Sequence, residues 1–374
     1  MGGKLLFVAS TRSHILHFHL PYLRGLREKG WVVHGAWSGA SEEDAWADKV
    51  LPLPFEKKMS SRKNFRAARI LRGEIRREGY DVVIVHTSLA AFFTRLAVMG
   101  LKDRPRVINM VHGYLFDDQT PKWKRGILLA AEGLTAPVTD LLLTMNQWDY
   151  ETAGQYRLGK RVAHVPGVGV EFARLEGQRT GDPAALRRSL GIPADAFVLI
   201  YPAEFSARKS QEILLRAMTA LPENMVLVLP GAGAGLEACK ALAGALGVAE
   251  RVKFPGYVSE MGPWYEMADA AVSSSRSEGL PFNIMEAMYS GLPVVASKVK
   301  GHTDLIRHGG SGLLYPYGDW QSCAGLVRQL MDDPALARSL ARRGREEMDR
   351  YSLSRVYPRV MAQYESVMEP RPNG

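Results

Sequence analysis

Short, unbroken apolar runs recur along the chain, separated by longer segments of mixed polarity. Leu5-Leu6-Phe7-Val8-Ala9, Val82-Val83-Ile84-Val85, Val107-Ile108-Asn109-Met110-Val111, Leu141-Leu142-Leu143, Val198-Leu199-Ile200-Tyr201, Val226-Leu227-Val228-Leu229 and Pro293-Val294-Val295-Ala296 are all of strand length. Consecutive rather than alternating apolar positions are expected of parallel strands covered on both faces. After the first run, residues 16–30 predict a helix, and Trp31-Val32-Val33-His34-Gly35-Ala36 a second strand. A strand-helix-strand opening of this kind places its ligand beyond the carboxyl ends of the strands. Val198-Leu199-Ile200-Tyr201 then begins a second parallel sheet, so the pattern predicts an α/β chain.

A chain of 374 residues is too long for one ordinary core and points to two domains. Residues 177–195, with Gly177, Gly181, Pro183 and Asp195, read as a linker between a first domain over 1–176 and a second over 196–350. A final segment, 351–374, carries Tyr351, Val356, Tyr357, Val360, Met361, Tyr364 and Val367 at helical spacing. The 46% apolar and 23% charged composition is that of a soluble globular protein. Cys239 and Cys323 offer neither a disulfide framework nor metal-ligand spacing, which fits a reducing cytoplasm. No secretory signal is visible, and the apolar stretch 82–101 is interrupted by His86, Thr87, Ser88, Thr94 and Arg95, which excludes a membrane span.

The net charge of +9 lies entirely in the first half: 25 Lys and Arg against 16 Asp and Glu over residues 1–168, and 23 against 23 over the rest. Residues 57–77 concentrate it in Lys57, Lys58, Arg62, Lys63, Arg66, Arg69, Arg72, Arg76 and Arg77, with Phe65, Ile70, Leu71 and Ile75 available to pack inward. Such a segment is either a solvated outer helix or one that lies on anionic lipid. No nucleic-acid module accompanies the charge, so nucleic acid is not expected as a partner. Residues 114–131 mix Phe116, Trp123, Ile127, Leu128 and Leu129 with Lys122, Lys124 and Arg125, and read as a packed helix, an acceptor groove or a membrane contact.

Candidate chemistry centres on Ser273-Ser274-Ser275-Arg276-Ser277-Glu278-Gly279-Leu280-Pro281-Phe282-Asn283-Ile284-Met285-Glu286-Ala287-Met288 and the following Tyr289-Ser290-Gly291-Leu292-Pro293. It predicts a strand end, a loop carrying one carboxylate, and a helix with Pro281 at its first position and Gly291 as its stop. The first-turn amides of Phe282, Asn283 and Ile284 then offer an anion seat, flanked by Glu278 and Glu286. At the end of the first strand, Ser10, Thr11, Arg12 and Ser13 either hold an anionic group or cap a helix.

Glu-x7-Glu in this frame, with Glu-Gly-Leu-Pro before and Glu-Ala-Met after, resembles the nucleotide-sugar motif of retaining glycosyltransferase family 4. The resemblance spans nearly all of the second half and, more loosely, the first, where 141–146 and 163–170 resemble capsule and exopolysaccharide members. It implies the GT-B fold: two Rossmann-like doubly wound domains facing across a cleft, with the C-terminal helix crossing back to the first. It implies that Glu286 accepts from the ribose hydroxyls, that Lys209 and the Pro281–Ile284 helix start hold the diphosphate, and that Glu278 and His112 contact the sugar. Gly279, Leu280, Phe282 and Asn283 belong to the same donor loop, and Gly256 and Tyr257 end the strand expected over 251–257, after which the backbone meets the base in relatives, so both are implied on the base side.

The family's usual arginine is Glu204 here, which leaves one diphosphate clamp unassigned; Arg208 could supply it, although neighbours on a helix point to different faces. No Asp-x-Asp motif is present, so no metal and no cofactor are expected. The implied activity is a retaining hexosyl transfer from a UDP-sugar, an N-acetylhexosamine among the options, to a lipid-linked or oligosaccharide acceptor in bacterial surface-polysaccharide assembly. The location would be cytoplasmic, peripheral to the inner membrane face. A UDP-sugar 2-epimerase of the same fold and a non-catalytic sugar-nucleotide-binding scaffold are the alternatives.

Overall fold

The computed structural model describes residues 2–41, 44–179 and 181–368. Thr180 of the expected linker and 369–374 of the expected final segment lie outside the described residues. The chain forms two compact units, 1–169 with 354–374, and 170–353.

The first unit holds a parallel sheet of β1 (Lys4–Thr11), β2 (Val32–Ser38), β3 (Lys49–Pro52), β4 (Val82–His86), β5 (Arg106–Val111), β6 (Leu141–Thr144) and β7 (Val162–His164), in the order β3-β2-β1-β4-β5-β6-β7. The second holds β8 (Phe197–Ile200), β9 (Met225–Val228), β10 (Val252–Lys253), β11 (Ala270–Ser273), β12 (Val294–Ser297) and β13 (Leu313–Tyr315), in the order β10-β9-β8-β11-β12-β13. Both sheets are doubly wound, as the apolar runs predict: Leu5, Leu6, Phe7, Val8, Val83, Ile84, Val198 and Ile200 have no exposed surface. The strand order reverses between β1 and β4 and between β8 and β11, and at such a point the connections leave in opposite directions and open a crevice for ligand.

Several local expectations are corrected. The single helix expected over 16–30 is two, Arg12–Phe18 and Leu20–Glu28, broken at His19. Pro21 stands in the first turn of the second helix, where its missing N–H costs nothing, whereas inside a continuous helix its ring would clash with the preceding turn. The basic helix is Arg62–Glu78, capped by the Ser61 hydroxyl and stopped by Gly79 in the left-handed region. It buries Leu71 and Ile75, while Phe65 stays 54% exposed and meets the buried Phe93 ring edge-on at 5.1 Å. The strand before Gly256 has only two residues, so Gly256 and Tyr257 lie beyond it. Residues 177–195 belong to the second unit, where they include the helix Pro183–Ser189.

The C-terminal helix Leu353–Met368 packs on the first unit through the face its periodicity predicts. Val356, Val360 and Tyr364 have no exposed surface, and the Tyr364 hydroxyl reaches Met110 Sδ at 3.5 Å. Tyr364→Ala is therefore expected to lower the unfolding free energy of this unit by about 3 kcal/mol, because a large buried side chain leaves a cavity. Urea unfolding checks this; an effect no larger than that of an exposed tyrosine would contradict the packing.

Candidate active site

In the second unit the chain leaves β11 at Ser273, and Ser274 and Ser275 are fully buried. Three residues on, Glu278 is buried to 6% exposure, and a buried carboxylate needs charge and hydrogen bonds to compensate for lost water. Lys209 Nζ donates to its Oε1 at 2.5 Å, Arg208 Nη1 to its Oε2 at 2.7 Å, and Ser275 Oγ to Oε1 at 2.5 Å. The Lys209 side chain is itself almost buried, while that of Arg208 is half exposed. Burial would raise the Glu278 carboxyl, but Lys209, Arg208 and His302 outweigh it and hold it at about 2. Burial lowers the Lys209 ammonium, opposed by the Glu278 charge.

Arg208 and Lys209 converge because residues 206–209 form a turn rather than a helix, which corrects the expectation of divergent side chains. The next helix, Gln211–Met218, begins only after Ser210, whose φ of 50° is left-handed. This turn is tied to the β11 loop by Arg276 N to Arg208 O at 2.8 Å and by the Ser274 hydroxyl, which donates to Lys209 O, and to the end of β8 by the Tyr201 hydroxyl, which donates to the same carbonyl. The Glu204 charge favours the charged forms of both Arg208 and Lys209, and its carbonyl accepts from Gln211 Nε2 at 2.9 Å.

Pro281 flanks the helix Phe282–Tyr289 rather than opening it, one position before that expected, and Gly291, with φ of 82°, ends it. Asn283 Nδ2 donates to Pro202 O at 2.9 Å, so its side chain braces the loop after β8. Glu286 Oε2 accepts from Tyr265 at 3.0 Å. Burial pushes its carboxyl up to about 7, against the pull of Tyr265 and Arg174. Leu280 is buried, Gly279 half-buried, and Tyr257 is 71% exposed, while Gly256 O accepts from Gly231 N at 2.7 Å.

Sequence reasoning overlooked two supports of Glu278. Gly301, with φ of 81°, lies so close that a Cβ there would stand 2.8 Å from Glu278 Cβ. His302 is buried beneath, between the hydroxyls of Ser273 and Ser297, and burial lowers it to about 4. Only their place in the Gly301-His302 loop hinted at this role.

In the first unit, Ser10 and Thr11 end β1, and no serine caps the helix that starts at Arg12. Thr11 Oγ1 and Ser13 Oγ lie 3.1 Å apart, and Arg12 Nε pairs with Asp44 at 2.6 Å. His112 directly follows β5, and its Nε2 lies 3.1 Å from Nδ1 of His86, the last residue of β4. His86 thus joins a cluster with His14, His19 and His112, in which the His19 and His86 rings lie 3.8 Å apart and those of His14 and His112 4.5 Å apart. The string His14-Ile15-Leu16-His17-Phe18-His19 after a strand was the signal available for it.

Two doubly wound units, one with a buried acid and two cations at its switch point, have the architecture of GT-B glycosyltransferases. The family description "Glycosyl transferases group 1" matches residues 182–347, and "Glycosyl transferase 4-like domain" matches 20–168. EpsD of Bacillus subtilis (strain 168), described as a glycosyltransferase, is 32% identical over 374 residues, covering 99% of this chain and 98% of EpsD. D-inositol 3-phosphate glycosyltransferase 1 of Catenulispora acidiphila is 33% identical over 316 residues, 79% of this chain and 75% of its own. Among solved structures, Anabaena HepE in complex with UDP-glucose superposes with a TM-score of 0.78 at 18% identity, covering 97% of this chain and all of that one. WaaG, a glycosyltransferase involved in lipopolysaccharide biosynthesis, superposes at 0.75 with 16% identity over 95% of this chain and 98% of its own. The chain belongs to the family 4 type of glycosyltransferases.

Two outcomes follow from the geometry. Glu278→Gln is expected to cost roughly 3 kcal/mol of stability, because it leaves Lys209 charged and buried without its partner; a denaturant midpoint unchanged from wild type would contradict the pairing. Glu286 holds a proton in the folded state up to about pH 7 that the unfolded chain releases near its ordinary 4.5. The folded state binds more protons in that window, so wild type should lose stability relative to Glu286→Gln as pH rises from 4.5 to 7. Parallel stability profiles of the two proteins would contradict it.

Proposed function

We propose that the chain is a retaining glycosyltransferase that moves a sugar from a UDP-sugar to a lipid-linked or oligosaccharide acceptor in bacterial surface-polysaccharide assembly. The observation that carries this is the convergence of Lys209 and Arg208 on buried Glu278 beside the start of helix Phe282–Tyr289. Rupture of the anomeric bond builds negative charge on the departing diphosphate, and fixed cations with helix-start amides lower the energy of that charge. Lys209 and Arg208 are suited to this, so the diphosphate is neutralised by side chains rather than by a metal ion. Arg208 would then fill the place left by Glu204.

Glu278, held ionised, orients both cations and accepts from sugar hydroxyls, and Glu286 in its ionised form accepts from the ribose. Gly279 and the backbone after Gly256 take the remaining donor contacts, and His112 belongs to the same reaction. Attack comes from the face the leaving group departs, with the phosphate oxygen receiving the acceptor proton, so configuration is retained. The UDP-glucose complex of HepE supports the donor class, and the WaaG likeness supports the polysaccharide setting.

An anionic membrane surface is where such an acceptor would be met. The exposed cations of helix Arg62–Glu78 support this, as does helix Lys122–Thr135, whose Trp123 and Ile127 are 71% and 62% exposed beside Lys122 and Lys124. Among the described residues, no helix is long and apolar enough to cross a membrane.

A panel of UDP-sugars incubated with the chain tests the proposal. Slow release of UDP and of a monosaccharide with unchanged stereochemistry at C2 is expected, falling about 100-fold in Lys209→Met with the fold retained. A 2-epimerised product would indicate an epimerase, and unaltered turnover in Lys209→Met would remove the lysine from the chemistry. No shift in melting temperature with any nucleotide sugar would sink the proposal.

A further inference from the structure

We infer that His14, His19 and His112 form a tri-histidine site for a borderline-soft divalent cation, zinc above all. Adjacent strands β1, β4 and β5 deliver the ligands: His14 and His19 follow β1, His112 follows β5, and β4 between them ends in His86. One ring nitrogen from each of His14, His19 and His112 lies within 4.8 Å of the others. In a tetrahedral zinc site with bonds of about 2.0 Å, ligand nitrogens stand about 3.3 Å apart, so small ring movements would complete the shell. This ligand set comes from a unit in which the sequence pattern suggested no metal, since it lacks Asp-x-Asp and cysteine pairs.

The second observation is unsatisfied hydrogen-bonding capacity. His19 has no exposed surface, yet neither of its ring nitrogens has a partner; His14 Nε2 and His86 Nε2 are also buried and unpartnered. Buried orphaned polar atoms carry a desolvation cost of about 1–3 kcal/mol each, and a bound cation removes it for the ligands. His86, 3.1 Å from His112 Nε2, braces that ring from the side. His14 and His112 are only half-buried, which leaves an entry path and a fourth position for water or a substrate oxygen. Three neutral imidazoles suit zinc, copper or nickel, and are a poor set for magnesium or calcium, which demand oxygen.

The inference does not rest on the donor chemistry proposed above, all of whose charged residues lie in the second unit; it adds an ion at His112. Untagged full-length chain, stripped by chelator and dialysed, is titrated with zinc chloride by calorimetry, and zinc retained after desalting is counted by mass spectrometry. One zinc per chain is expected, with affinity reduced at least tenfold in His14→Gln and in His19→Asn and unchanged in His164→Gln, a histidine outside the cluster. X-ray absorption at the zinc edge of the wild-type complex needs no variant, and should show about three imidazole nitrogens at about 2.0 Å. Absence of retained zinc, or retained zinc with a shell lacking imidazoles, would overturn the site. So would affinity untouched by both cluster variants in folded protein. Donor hydrolysis measured on the same stripped chain reports on the transferase reading separately.

Discussion

Glu278 is a carboxylate removed from water, and much of the second unit's local geometry answers that constraint. An ionised group there is tolerable only with close cations and donors. The chain supplies them by interrupting regular structure: residues 206–209 stay in a turn, Ser210 adopts a left-handed φ of 50°, and two consecutive cations point the same way. Ser275 donates from the strand end, and Gly301 yields the space in which the carboxylate sits. The glycine-rich turn after β9 serves the same region differently. A Cβ on Gly231 would stand 2.0 Å from Ala203 O, and one on Gly233 2.5 Å from Phe205 O, so these glycines let the turn lie against the loop after β8. Nothing about them is specific to phosphate.

Both units put their unusual side chains at the carboxyl ends of the central strands, where doubly wound sheets open. The polarity differs. The second unit gathers opposite charges that hold one another ionised, whereas the first gathers four imidazoles that burial keeps neutral. Opposite charges in low dielectric attract strongly enough to offset desolvation, while like groups can share an interior only uncharged. The pairs therefore rigidify one loop cluster, and the imidazoles leave another with unspent hydrogen-bonding capacity.

Strand positions were legible because burial on both faces writes itself as consecutive apolar residues, and the Glu278-to-Glu286 frame was legible because its spacing is local. The amphipathic final helix was equally plain, from Tyr364 and its neighbours at helical intervals. Helix starts were less so. Pro21 and Pro281 mark them, but whether a proline opens or flanks a helix depends on what the neighbouring carbonyls meet. Phe65 fits an inward stripe by spacing and is nonetheless exposed, since helix Arg62–Glu78 turns its Leu71 and Ile75 toward the sheet.

Sequence by itself thus determined the two parallel sheets, the family and the local frame from Glu278 to Glu286, all properties carried by neighbours along the chain. Tertiary structure decided who compensates whom. Arg208 and Lys209 meet Glu278 across a separation of about seventy residues, and His14, His19, His86 and His112 meet although they come from three strand ends. No periodicity encodes such meetings, because strand order in a doubly wound sheet departs from chain order. That departure brings the ends of β1, β4 and β5 together in the first unit and those of β8 and β11 in the second.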